Sequence, residues 1–218
     1  TVPGVYRPHV MTTTIRSALG RFFGVAVDPQ TYRNLAYLLL TFPLGILYFT
    51  VLWGGGAAGV ATIPILVGIP ILVAVLAVAV TLADLETRLA RGLLGADVAY
   101  ETPQPADETL GEYVKRLALD PRSYLAVVYL FSKFVVGLAS FVALTFASVL
   151  SSVLVLAPVL YSRPGVSYQF GVTTIETLPV ALGASVAGVL LAFVSLHLFN
   201  VAAWVVGEYP EVMLDRGE

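Results

Sequence analysis

Five polar side chains lie inside, or at the ends of, long apolar runs of this sequence. Lys133 is the only charged residue between Leu125 and Tyr161. Charged and titratable groups inside a membrane are costly, and they commonly mark sites that bind ligands or exchange protons. Their depths along the apolar runs predict one polar cluster near the inner leaflet that responds to protonation or to a ligand. The candidate members are Asp84, Glu86, Lys133, His197 and Asn200.

A structural interpretation of the same residues is the alternative. The long side chain of Lys133 would carry its ammonium to the membrane surface. His197 would then make one hydrogen bond between helices and have no further role.

Two other groups of residues are candidate surfaces. A loop expected to face outward carries aromatic and charged residues, which suit either a small receptor surface or an aromatic belt among the headgroups. Small residues that recur every four positions predict a face for close helix packing or self-association. The loop residues are Tyr161, Arg163, Tyr168, Phe170 and Glu176, and the packing face is Ala139, Ala143, Ala147 and Ser151.

The composition excludes several classes of function. The chain is 58% hydrophobic and only 12% charged, whereas soluble domains carry about 25% charged residues. The net charge of −2 provides no basic surface for nucleic acid, and the absence of cysteine excludes disulfides and thiolate chemistry. The sequence has no HExxH helix and no phosphate-binding glycine loop after a strand. We therefore expect neither an enzyme nor a bound metal or cofactor.

One stretch of sequence occurs twice and organises the elements that position these residues. Asp28-Pro29 opens the first copy and Asp120-Pro121 the second, and a constant offset of 92 residues separates them. At this offset Tyr32 corresponds to Tyr124, Tyr37 to Tyr129, Phe42 to Phe134, Gly45 to Gly137 and Phe49 to Phe141. Asp followed by Pro begins a helix, and an apolar run of about 20 residues spans a bilayer. The sequence therefore predicts a duplicated helical hairpin.

The predicted fold is an all-α membrane protein with four transmembrane helices, arranged as two parallel helical-hairpin repeats with short interfacial amphipathic helices. Gly54-Gly55-Gly56 is expected to end the first helix in a tight turn, and Pro64 and Pro70 to lie early in the second. Met11 is a candidate start of translation. The predicted segments are a disordered tail (1–11), an interfacial amphipathic helix (12–27), a first hairpin repeat (28–95, spanning helices near 34–53 and 62–83), a cytoplasmic connection (96–119), a second hairpin repeat (120–206, spanning helices near 124–160 and 178–206) and an acidic cytoplasmic tail (207–218).

The charges of the loops predict the orientation in the cell membrane. Lys and Arg accumulate in cytoplasmic loops, so both termini are expected to be cytoplasmic and both hairpin tips outside. Because both copies start from the same side, the repeat is parallel. The residues on the predicted inner side are Arg7, Arg16, Arg21, Arg33, Arg88, Arg91, Lys115, Arg116 and Arg122, whereas the tips contain Arg163.

Four short motifs resemble the "Putative sensor" membrane domain. They are Asp28-Pro29 through Phe42-Pro43-Leu44-Gly45, Glu86 through Leu93-Leu94-Gly95, Asp120 through Tyr124, and Ala157-Pro158-Val159-Leu160-Tyr161. The resemblance covers about Asp28 to Trp204. It implies a four-helix signal-input module of the kind found before bacterial and archaeal histidine kinases and also alone. It also favours Glu86 as the partner of Lys133.

The favoured function is a sensory or regulatory membrane module that detects a membrane or amphiphile signal. Its expected partners are the lipid bilayer and either a protein such as a kinase or regulator, or further copies of the chain. A small transporter or exporter subunit is the first alternative, because paired repeats are also typical of transporters. A purely structural membrane protein is the second.

Overall fold

The computed structural model describes residues 20–95, 109–163, 169–170 and 173–214. Within these residues, four helices are long and apolar enough to cross a membrane, which confirms the predicted all-α membrane fold. The elements in chain order are α1 (Pro29–Ala61), a 3-10 helix (Ile63–Ile65), α2 (Gly68–Leu94), α3 (Leu110–Leu119), α4 (Pro121–Val155), α5 (Ala157–Leu160), an antiparallel ribbon of β1 (Gln169–Phe170) and β2 (Thr173–Thr174), and α6 (Leu178–Leu214).

The four spanning helices are α1, α2, α4 and α6. The predicted tail 1–11 and the first half of the predicted amphipathic helix 12–27 lie outside the described residues. Of that segment, residues 20–24 are helical and residues 25–27 form a turn.

The chain divides into two compact units. The main unit comprises Arg33–Thr145 and Phe199–Glu218, and the second unit comprises Thr1–Tyr32 and Phe146–Leu198. In the second unit, Phe22 and Phe23 pack their rings against Phe193. The core of the main unit is built from tyrosine, leucine and alanine side chains. Its buried members are Tyr48, Leu52, Ala79, Ala83, Ala126, Tyr129 and Leu130.

Helices α1 and α4 begin with the same cap. The Oδ1 atom of Asp28 accepts the N–H of Gln30 at 2.9 Å, and the Oδ1 atom of Asp120 accepts the N–H of Arg122 at 2.8 Å. Each carboxylate therefore binds a backbone donor that has no partner within the helix.

A tyrosine also ties each of these helices to the segment before it. The hydroxyl of Tyr32 donates to the carbonyl oxygen of Ala26 at 2.6 Å, and that of Tyr124 donates to the carbonyl oxygen of Ala118 at 2.9 Å. The two tyrosine donors are 92 residues apart in the sequence, and so are the two alanine acceptors. The same contact therefore occurs at two positions that correspond in the sequence, and the repeat arrangement itself stays a prediction.

The turn between α1 and α2 comes later in the chain than predicted. Gly54, Gly55 and Gly56 lie inside α1, and the chain turns only at residues 62–67, where Leu66 is left-handed with φ 63°. In α1 glycine makes room for α2, because a Cβ on Gly55 would lie 2.6 Å from the Val75 side chain. Small residues permit such close approach of membrane helices.

The two prolines near this turn do not interrupt α2. Pro64 lies in the 3-10 helix rather than in α2, which corrects the predicted start of the second spanning helix. Pro70 is the third residue of α2, where its missing N–H has no partner within the helix in any case. Both prolines are therefore placed where they cost no helical hydrogen bond.

The third predicted spanning helix is divided. Helix α4 ends at Val155 and the short α5 begins at Ala157. Pro158 explains this break, because it lacks an N–H and its ring clashes with the carbonyl of the residue four positions earlier.

Helix α3 occupies part of the predicted cytoplasmic connection. It starts with a capping box, in which the N–H of Glu112 donates to the hydroxyl oxygen of Thr109 at 3.4 Å and the N–H of Thr109 donates to the Glu112 carboxylate at 2.9 Å. The Thr109 hydroxyl also donates to this carboxylate, at 2.7 Å. These bonds lower the pKa of the exposed Glu112 carboxyl. Leu117 is buried, and α3 packs against α2.

Helices α1 and α4 cross at two glycines that correspond in the two copies. A Cβ on Gly45 would lie 2.7 Å from the Cα of Phe134, and a Cβ on Gly137 would lie 2.5 Å from the carbonyl oxygen of Thr41. Both distances are too short for a side chain, so the two backbones touch here.

Aromatic rings flank this crossing in equivalent pairs. Phe42 stacks on Phe141 at 4.4 Å between centroids, and Phe49 stacks on Phe134 at 4.9 Å. Phe42 and Phe134 correspond in the two copies, as do Phe49 and Phe141. Each copy therefore supplies the same two rings to the contact.

Adding a methyl group at the crossing is expected to destabilise the protein. Gly45→Ala and Gly137→Ala should each cost about 1–3 kcal/mol, because the backbones must separate. Gly54→Ala is the matched control on the same helix as Gly45, since no atom of the described residues lies within 4 Å of the position that its Cβ would take. The measurement is thermal unfolding in one detergent. Equal melting temperatures for the three variants would contradict a close crossing.

The loop charges give a test of orientation. The chain has no cysteine, so single cysteines report one position each. Cysteines at Ile65 and Glu176, beside the hairpin tips, should react with an impermeant thiol reagent in intact cells. A cysteine at Gly111 should react only after permeabilisation. The opposite labelling pattern would invert the predicted orientation.

Candidate functional site

Three helices of the main unit bring one group of polar side chains together. Helix α1 supplies Tyr37 and Tyr48, α2 supplies Glu86, and α4 supplies Tyr129 and Lys133. The tyrosines of α1 are 11 residues apart, which is about three helical turns and places them on one face. We call these five residues the polar cluster.

An ion pair lies at the centre of the polar cluster. The Nζ atom of Lys133 lies 3.0 Å from Oε1 of Glu86 and donates to the hydroxyl oxygen of Tyr37 at 2.7 Å. The hydroxyl of Tyr37 donates to the same Oε1 at 2.8 Å, which closes a ring of three groups. Tyr48 donates to Oε2 of Glu86 at 2.8 Å.

The ion pair is sealed from solvent by the chain itself. The side chains of Lys133 and Glu86 are 0% and 1% exposed, so the ammonium does not extend to the surface. Removing an ion from water costs several kcal/mol even after relaxation, and only close partners compensate this cost. Both oxygens of Glu86 accept hydrogen bonds, as an ionised carboxylate does. The ammonium also lies 5.1 and 5.4 Å from the ring centroids of Tyr37 and Tyr129, within range of a cation–π interaction.

Tyr129 differs from the other tyrosines of the polar cluster. Its hydroxyl is buried and has no hydrogen-bond partner among the described residues. Its ring stacks on Tyr209 of α6 at 5.8 Å. Tyr209 in turn donates to the hydroxyl of Ser132 at 2.9 Å, and Ser132 donates to the carbonyl oxygen of Tyr129 at 2.6 Å.

The other predicted cluster members have partners outside the ion pair. Asp84 binds Arg88 at 2.7 Å, one helical turn away on α2. Asn200 accepts a hydrogen bond from Asn34 at 2.9 Å. The Nε2 atom of His197 lies 3.1 Å from a backbone carbonyl, that of Phe22, whose ring stacks on the imidazole. Of the five predicted residues, the structure thus joins Lys133 to Glu86.

The predicted outward surface is described in part. Tyr161 is half-buried beside Ala157, whereas Arg163 and Glu176 are exposed. Phe170 belongs to strand β1. Tyr168 lies outside the described residues, so the receptor surface stays a prediction.

The four residues of the predicted packing face lie in different environments. Ala139 and Ala143 are exposed on the surface of the chain, Ala147 is half-buried and Ser151 is buried. A close helix approach occurs at the buried end, where a Cβ on Gly188 would lie 3.0 Å from the carbonyl oxygen of Ser151. Self-association through the exposed alanines stays a prediction.

The tyrosines are absent from the candidate site that the sequence predicts. Tyr37 and Tyr129 stand out there only as matching positions of the two copies, and Tyr48 only as part of an apolar run. The signal that identifies them is their place inside the run, because tyrosines of an aromatic belt lie at its ends. A tyrosine deep in a spanning helix needs a hydrogen-bond partner.

A family model described as "Putative sensor" matches residues 37–214, which is most of the chain and includes the whole polar cluster. The match confirms the resemblance seen in the sequence motifs. Comparisons with curated proteins and with solved structures gave no significant match. In the part of the chain that the structure describes, no three His, Asp or Glu side chains are grouped as metal ligands would be.

The ion pair predicts a specific pattern of stabilities. Lys133→Met and Glu86→Gln should each destabilise the protein by about 3–5 kcal/mol, because each leaves a buried polar or charged group without its partner. The double variant should recover part of this loss. The measurement is a double-mutant cycle on thermal unfolding.

The matched control for this cycle is the pair of Asp84 and Arg88, which lies on the same helix as Glu86. Its Arg88 side chain is 67% exposed, so removal of the pair should cost about 0–1 kcal/mol. Strictly additive effects of Lys133→Met and Glu86→Gln would contradict coupling between the two charges.

Proposed function

This chain belongs to the family described as "Putative sensor", and we propose that it is a membrane-embedded sensory or regulatory module that passes a membrane or amphiphile signal to a partner protein. The family description favours a non-enzymatic role. The four apolar helices make it a multi-pass membrane protein.

The observation that carries this proposal is the buried ion pair. Glu86 lies in the first predicted hairpin and Lys133 in the second, so the bond links the two. Apolar residues of similar volume often replace a buried ion pair with no loss of stability. A pair kept in an apolar protein is therefore better suited to a contact that opens and closes than to one that only stabilises.

The elements next to the pair offer a route for the signal. Glu86 lies eight residues before the end of α2, and α3 packs against α2. A movement of Glu86 would shift the polar end of α2 and carry α3 with it. Lys115 and Glu112 of α3 are exposed, so a partner protein that binds α3 would contact side chains that move with it.

A genetic experiment in the source organism tests the proposal. Cells that lack the gene should lose the transcriptional response to a membrane-active amphiphile, and the native gene should restore it. The variant with both Lys133→Met and Glu86→Gln should restore it several-fold less. The control variant with Asp84→Asn and Arg88→Gln should behave like the native protein, because Arg88 is exposed and the pair is not sealed from solvent.

The accumulated amphiphile is measured in the same cells. A sensory module leaves the amount per cell unchanged, because it moves no substrate. A clear change in accumulation with an intact transcriptional response would contradict the proposal and indicate a transporter subunit.

A further inference from the structure

The polar cluster lacks an acceptor on one side. The hydroxyl of Tyr129 is fully buried and has no described partner. The ammonium of Lys133 has three N–H groups, and its described polar partners are Tyr37 and Glu86. Both Tyr129 and Lys133 are on α4, one turn apart. Each of them therefore has a donor for which the described chain supplies no oxygen acceptor.

Of two tyrosines that correspond in the two copies, only the one in the second copy lacks a hydrogen-bond partner among the described residues. Tyr129 corresponds to Tyr37 at the offset of 92 residues. The hydroxyl of Tyr37 donates to Glu86, whereas that of Tyr129 has no carboxylate partner among the described residues. A buried polar group without a partner is costly, and such groups in native proteins generally have an unseen partner.

Two half-buried side chains, those of Tyr209 and Ser132, lie next to Tyr129. Tyr209 stacks over the ring of Tyr129 and is held by one hydrogen bond to Ser132. That hydrogen bond joins two neutral groups, so it is weaker than a hydrogen bond to a charged group. Rotation of the Tyr209 side chain would uncover the face of the Tyr129 ring on which it stacks.

The depth of the cluster fits a lipid headgroup. Arg88 is two residues beyond Glu86 on α2, about 3 Å along the helix axis, and its side chain is 67% exposed. A charged side chain that is exposed on a spanning helix marks the boundary between hydrocarbon and headgroups. A headgroup at the level of Arg88 would therefore place its oxygen atoms near the depth of Glu86.

The charge of the cluster selects the kind of headgroup. Lys133 and Glu86 neutralise each other, so a bound anion or cation would leave a net charge in a medium of low dielectric constant. An uncharged oxygen, such as a hydroxyl or an ester carbonyl, accepts from both donors without this cost. We propose that Tyr129 and Lys133 form a binding site for the uncharged, oxygen-bearing headgroup of an amphiphile, which enters past Tyr209 and Ser132. This inference rests on the proposed function, because that amphiphile would be the signal.

Photolabelling of the purified full-length protein tests the site. The probe is hexadecanol with a diazirine next to its hydroxyl, and a hexadecane diazirine without oxygen reports general lipid contact. Tyr129→Phe removes only the hydroxyl and should reduce labelling by hexadecanol about five-fold or more, equal to loss of most of a hydrogen bond to a buried acceptor. Labelling by the hexadecane probe should not change. Tyr113→Phe on α3 is the matched control and should label like the native protein.

Thermal unfolding of the same variants distinguishes a ligand site from a structural hydroxyl. Because the Tyr129 hydroxyl has no partner among the described residues, Tyr129→Phe should keep or raise the melting temperature in ligand-free detergent. Addition of hexadecanol should raise the melting temperature of the native protein and not that of Tyr129→Phe. A lower melting temperature for Tyr129→Phe without ligand, or equal hexadecanol labelling of both proteins, would overturn the site.

Two further measurements identify the source of the oxygen atom and distinguish failure of the site from failure of the proposed function. Hexadecanol labelling that persists in phospholipid nanodiscs assigns the site to a free amphiphile, whereas labelling lost there assigns it to ester oxygens of the bilayer lipid; both support the site. Binding in vitro without a transcriptional response in cells would leave the site intact and overturn the sensory function. A response that Tyr129→Phe does not alter, with no binding in vitro, would overturn the site alone.

Discussion

Every polar group of a spanning helix must find its partner inside the protein, because the bilayer core offers no water. Lys133 is the most demanding case among the described residues, since it is a fully buried ammonium. Glu86 compensates its charge, and Tyr37 and Tyr48 complete the hydrogen bonding of the carboxylate. These contacts fix the rotation of three helices at once. The packing of α1, α2 and α4 depends on satisfying this one pair.

The crossing of α1 and α4 keeps the pair in place. Gly45 would place a Cβ 3.2 Å from the carbonyl oxygen of Lys133, so the crossing and the polar cluster share one stretch of α4. Gly137 packs on the backbone of α1 one turn further along. A contact made of two backbones has little freedom to separate without loss of packing, but it can rotate. When the ion pair of Glu86 and Lys133 opens, α1 and α4 are therefore expected to rotate about their crossing rather than to separate.

Much of this arrangement is predictable from the sequence, for identifiable reasons. A lone cation in a long apolar run needs a carboxylate at the same depth, and together with the family resemblance this requirement predicts Glu86 as the partner of Lys133. The start of each hairpin is equally predictable, since Asp is favoured as the N-cap of a helix and Pro at its first position. The turn predicted at Gly54 is wrong because that prediction applies the behaviour of glycine in water, where it breaks helices. In a membrane, the backbone keeps its internal hydrogen bonds and glycine provides space for a neighbour. The roles of the tyrosine hydroxyls are not predicted, because a tyrosine inside an apolar run is treated as an apolar ring and its hydroxyl donor is overlooked.

The two copies share their scaffold and differ in their chemistry, and this difference points to where function resides. Caps, tyrosine ties, crossing glycines and stacked phenylalanines all recur at the same offset. The polar cluster does not recur, because Lys133 corresponds to Thr41 and the partnered Tyr37 to Tyr129, whose hydroxyl has no partner among the described residues. Paired contacts that support the fold are expected to be kept in both copies, since each copy needs them. Lys133, by contrast, is a charge that only the second copy carries, and it binds Glu86 of the first. This contact therefore has a different residue on each side, so the two copies do not respond alike when it opens. A module that reports one state as different from another needs such an asymmetric contact.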